Sequence, residues 1–86
     1  MRFQGALIRE QGVTFAIAVV KKHVLDNKSQ AEETIAAFRP IFGNVPIVLM
    51  AQDSRGVPTY YGRKDIANFM ARVPLHTVPW KEYTVS

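Results

Sequence analysis

Of the side chains able to do chemistry, the histidines are quickly set aside: His23 and His76 lie far apart, outside any HExxH or HxH spacing that would place two ligands on one metal. Each reads as an ordinary surface or half-buried imidazole, and no metal is expected. Nucleophilic catalysis needs a hydroxyl, a base and an orienting group brought together. None of Ser29, Ser54 and Ser86 stands in a GxSxG-like elbow, and helix capping and turn chemistry account for Ser29 and Ser54. Glu32 and Glu33 are neighbours on a helical stretch and point in different directions, which does not make an acid–base pair. The chain has no cysteine, so disulfides, thiolate ligands and thiol catalysis are excluded. Neither GxGxxG nor GxxxxGK[ST] occurs. No catalytic residue and no cofactor is assigned.

The stretch PTYYGRKDI, from Pro58 to Ile66, carries the clearest binding signal. A strand-like run ends on Gly62, and Arg63 and Lys64 follow where a helix begins. Helix starts favour anions and disfavour cations. Arg63 and Lys64 are therefore either the rim of a phosphate- or carboxylate-binding turn or solvated cations offset by Asp65, and the second reading is preferred. Tyr60, Tyr61, Arg63 and Lys64, with Lys21 and Lys22 on the preceding half of the chain, are also the types that stack on and neutralise single-stranded nucleic acid. Their spacing fits neither RNP1 nor a GxxG or zinc-finger pattern. Adjacent residues on a strand face opposite ways, so one of the two tyrosines belongs to the core.

Trp80 and Tyr83 point to a second kind of function. Both are types enriched where surfaces meet, and they sit in a C-terminal segment, Leu75 to Ser86, that reads as an edge strand or extended arm. An edge strand pairs readily with a copy of itself, so one expectation is a homodimer through this segment; the other is that Trp80 caps the domain's own core, with Pro79 and Lys81 protecting the edge against pairing.

The rest of the composition sets the frame. Eighty-six residues, 48% hydrophobic and 21% charged, suit one small folded domain over 1–86. The net charge of +4 is spread over Arg2, Arg9, Lys21, Lys22, Lys28, Arg39, Arg55, Arg63, Lys64, Arg72 and Lys81 without a long run. It reads as a solvated surface with a mild preference for anions. The apolar runs FAIAVV and VPIVLMA are strand-length, far below the roughly 20 residues of a membrane span. With no signal-peptide pattern at the N-terminus, the cytoplasm is the expected location and no membrane partner is assigned.

Periodicity then places these residues on elements. Arg2 to Ile8 alternates as a half-buried strand, Gln11-Gly12 turns, and Val13 to Lys22 forms a second strand apolar on both faces. Ser29 and Glu32 have capping-box spacing, which predicts a helix from about Gln30 with Ala31, Ile35 and Phe38 on its inner face, stopped by Pro40 and Gly43. VPIVLMAQ is the most buried strand; Asp53-Ser54-Arg55-Gly56 turns, and Val57 to Tyr61 returns. Ile66, Phe69, Met70 and Val73 form the apolar stripe of a second helix, ended by Pro74. The expected fold is α+β (α/β-like), order β-β-α-β-β-α-β, with a mixed sheet of about five strands and two helices. Ile17, Val19, Ile35, Phe38, Val48, Leu49, Ile66, Phe69 and Met70 are expected in one buried cluster.

The stretch from Val45 to Met70, VPIVLMAQDSRGVPTYYGRKDIANFM, resembles the C-terminal strand-turn-strand-Gly-helix half of the thioredoxin-like fold, including a proline at the start of its first strand. The resemblance implies a similar local topology; without a CxxC pair it implies no redox function. The expected function is a small non-catalytic binding or protein-interaction module. Single-stranded nucleic-acid or anionic-ligand binding through the Tyr, Arg and Lys group is the alternative, and an enzyme completed by a partner chain the third.

Overall fold

The computed structural model describes residues 2–85, which leaves Ser86 outside the described residues. The elements run β1 (Arg2–Glu10), β2 (Val13–Val19), α1 (Lys22–Leu25), α2 (Lys28–Phe42), β3 (Ile47–Gln52), β4 (Pro58–Tyr61), α3 (Lys64–Met70), a 3-10 turn (Leu75–Thr77) and β5 (Lys81–Thr84). The five strands form one mixed sheet in the order β4-β3-β2-β1-β5. Only β2 and β3 run parallel; the pairs β1–β2, β3–β4 and β1–β5 are antiparallel. The local order expected for Val45 to Met70, a hairpin followed by a helix, is present in β3, β4 and α3.

The sheet separates the core into two layers. Beneath α2 lie Ala16, Ala18, Ala31, Ile35, Phe38, Phe42, Ile47 and Leu49; on the opposite face Ala6, Phe15, Ile17, Val48, Met50, Ile66, Met70 and Val78 pack together. The single cluster expected from the sequence is therefore wrong, and the reason is local: Val48 and Leu49 are neighbours on one strand and cannot share a face. Phe69 is also misplaced by the sequence reading, because it is 37% exposed. Helix α3 has only seven residues, so Ile66 and Met70 fill its inner face and Phe69 lies at the margin, edge-on to Phe15 at 6.2 Å. Phe69→Ala is accordingly expected to cost about 1 kcal/mol, well below a core phenylalanine, and the shift of the urea unfolding midpoint measures it.

Three boundaries differ from expectation. Strand β2 stops at Val19, and Lys22 belongs to the short α1 rather than to the strand. Helix α2 is capped by Asn27, whose Oδ1 accepts the Gln30 N–H at 3.0 Å, so Ser29 lies inside the first turn. Pro40 does not end α2, which continues to Phe42. A proline in the last turn forfeits one helical hydrogen bond near the end, and burial of Phe42 compensates. Gly43, at φ +84°, then closes the helix by donating its N–H to the Arg39 carbonyl at 2.9 Å.

Candidate functional site

Strand β5 is one open edge of the sheet and carries an aromatic ring into the α2-side core. Arg2 to Gly5 of β1 pair with Thr84 to Lys81, which brings Phe3 opposite Tyr83. Their rings stack, with centroids 5.2 Å apart and planes 12° from parallel. Phe3 meets Phe38 at 4.5 Å, and Phe42 meets Tyr83 at 5.0 Å edge-on. A row of aromatic rings thus runs from α2 to the last strand, and the Lys81 ammonium lies 5.5 Å from the Tyr83 centroid. Tyr83 remains half-buried. The other sheet edge, β4, begins with Pro58, which has no N–H to offer a further strand.

Trp80 sits apart from this row. It packs against the opposite, α3-side core, and its indole Nε1–H donates to the Leu75 carbonyl at 3.0 Å. The two residues expected to mediate self-association therefore close opposite faces of the sheet, and only Tyr83 lies within the edge strand. Sequence reading found both residue types but missed Phe3 as the ring that Tyr83 stacks on. Pairing of the last strand with the first is set by tertiary contacts that no local pattern carries.

The turn after β4 is occupied by the chain's own charges. Arg63 donates from Nε and Nη2 to the two carboxylate oxygens of Asp65, each at 2.8 Å, and Asp65 Oδ1 also accepts the Ile66 N–H at 2.9 Å. The Arg63 hydrogen bonds hold the Asp65 carboxyl well below the usual carboxylate range, at about 2. A carboxylate with a depressed pKa contributes stability above its unfolded value, near 4, and loses it as the pH falls through about 2. Asp65→Asn should therefore lower the unfolding midpoint relative to the parent at pH 5 and leave it equal to the parent below pH 2, as thermal melts across that range would report.

The remaining candidate residues do not form one surface. Tyr60 packs on the α3-side core, where its hydroxyl is buried without a partner and burial raises its pKa. Tyr61 faces the α2 side, and its hydroxyl donates to Glu32 Oε2 at 2.8 Å; that bond raises its pKa. The sheet register puts Lys21 and Lys22 just beyond the end of β2, level with the end of β3, whereas Arg63 and Lys64 lie beyond the end of β4, level with the start of β3. Lys22 is held 3.7 Å from Asp26. The cations thus occupy opposite ends of the sheet.

Shallow hollows mark the surface of the described residues. One, of about 260 Å³, lies between the β1–β2 hairpin and α3 against Val13, Phe15, Arg63 and Phe69. A second, of about 320 Å³, lies on the α3 side at the C-terminal ends of β2 and β3. A third, of about 270 Å³, separates α2 from Gly62. Among the described residues no group of three His, Asp or Glu side chains is placed to hold a metal ion, and no helix is long and apolar enough to cross a membrane. No protein-family model, no curated protein and no solved structure matches the chain.

Proposed function

We propose that the chain is a non-catalytic protein-interaction module that assembles with a second copy of itself through the outer edge of β5. The observation that carries this reading is the aromatic row that reaches the open edge at Tyr83, where a second copy would extend it. Two-fold antiparallel pairing must place side chains of the same face opposite one another, which leaves registers centred on Tyr83 or on Glu82. The second sets a carboxylate against its own copy. The first sets Tyr83 against Tyr83 and Glu82 against the copy's Thr84, while Arg2 lies 3.7 Å from Glu82 of its own chain. Avoidance of that Glu82–Glu82 contact favours the Tyr83 register, and the proline at the start of β4 disfavours the other edge.

Lys21, Lys22, Arg63 and Lys64 are not gathered on one surface, so no observation favours an anionic ligand or single-stranded nucleic acid over this reading. Removing the segment after Pro74 would not test it cleanly, because Val78, Trp80 and Tyr83 pack on the two cores. Thr84→Glu does. Thr84 is exposed and opposite Arg2, so the fold tolerates a carboxylate there, but in the dimer the substitution sets two Glu–Glu pairs across the axis. Self-association should weaken about tenfold with the unfolding midpoint of the monomer unchanged. Equal association constants for Thr84→Glu and the parent, measured by sedimentation equilibrium, would contradict the proposed edge.

A further inference from the structure

The hollow at the C-terminal ends of the parallel strands β2 and β3 has a lining of a particular kind. Its floor is a row across three neighbouring strands, Gln4, Val19 and Met50, extended by Gln52; Leu75, His76 and Trp80 form its wall. Among the described residues no Lys, Arg, Asp or Glu lines it. The floor is apolar at Val19 and Met50, and Trp80 adds an aromatic surface whose N–H is already bonded to Leu75. The Gln52 amide donates to the Gly56 carbonyl at 3.0 Å, which leaves its carbonyl oxygen as an acceptor. The Gln4 amide and the His76 imidazole make no hydrogen bond among the described residues. Apolar floor, aromatic wall and a few amide and imidazole groups are the make-up of small-molecule sites, and ends of parallel strands are where such sites recur.

From this lining we infer that the hollow binds a small uncharged planar heterocycle with donors and acceptors on its edge, the chemistry of a free nucleobase. No Lys or Arg among the lining residues is placed to hold an anion and no Asp or Glu a cation, and a purely apolar ligand would displace water from the exposed Gln4, Gln52 and His76 without replacing its hydrogen bonds. At about 320 Å³ the hollow is near the lower size limit of ligand sites, which suits one or two fused rings. A ligand of about ten non-hydrogen atoms implies a dissociation constant on the order of 1 mM. The site lies on the α3 side of the sheet, the face opposite Tyr83.

Trp80 is the chain's one tryptophan, so a ligand seated against it in this hollow changes the tryptophan emission directly. Titration of the full chain with adenine and with uracil should give a saturable change in Trp80 emission for at least one base, with amide shifts in heteronuclear spectra confined to Gln4, the ends of β2 and β3, and residues 75–80. The double variant Gln4→Ala/His76→Ala, both side chains being exposed, should keep the parent unfolding midpoint and bind about tenfold or more weakly. Adenosine monophosphate should bind no more tightly than adenosine. The inference is overturned if neither base gives a saturable change at about 10 mM, ten times the expected constant. It is equally overturned if the folded double variant binds like the parent, or if the phosphate tightens binding in a salt-dependent way.

Discussion

Phe38→Ala is expected to remove about 3–5 kcal/mol of stability. For a chain of 86 residues the whole reserve is on the order of 4–13 kcal/mol, so the variant should be largely unfolded at 37 °C or melt far below the parent. Phe38 is 4% exposed, touches Phe3 at 4.5 Å and faces Phe42 at 6.3 Å, so truncation leaves a cavity between α2 and the sheet. It also takes away the ring on which Phe3, and through it Tyr83, rests. Urea denaturation with Phe69→Ala alongside separates the two positions; equal losses at both would mean that the division between buried Phe38 and marginal Phe69 is wrong.

Gly62→Val should be the second large effect, on the order of 3 kcal/mol. The strand–helix turn presses the Gly62 backbone onto β3, and a Cβ there would stand 2.9 Å from Val48 Cγ2 and 3.1 Å from both Val48 Cα and the Ile47 carbonyl oxygen. Two of those three atoms are backbone of a central strand and cannot swing away. Arg63→Ala and Lys64→Ala, at the two positions that follow, should each lower the unfolding midpoint far less than Gly62→Val, because both side chains are exposed and the Arg63–Asp65 pair is solvated. A loss for either cation as large as that for Gly62 would show that the turn is held by charge rather than by close approach.

The hairpins were legible because their turns are written in local chemistry. Gln11 and Gly12 both take positive φ, at 49° and 80°, and the Asp53 carboxylate accepts the Arg55 and Val57 N–H groups at 2.8 and 3.0 Å. The helix of Ala31, Ile35 and Phe38 was legible from its period. Its start was misassigned although Asn27 and Gln30 have the same spacing as Ser29 and Glu32; two overlapping caps compete there, and the chain uses the first. The division of the core was already implied by Val48 beside Leu49. The candidate site was legible in residue type only. Tyr83 is recognisable as an interface residue, but its contact with Phe3 comes from β5 returning to β1, and the hollow of Gln4, Gln52 and His76 joins three stretches that no single segment relates.

Two copies of this chain should join through β5, and sedimentation equilibrium of the unmodified chain reads that association without any substitution. With a chain mass of 9.7 kDa, the apparent mass should rise toward twice that value as the concentration is raised through the micromolar range and fall again on dilution. An apparent mass of 9.7 kDa at every concentration up to high micromolar would contradict it.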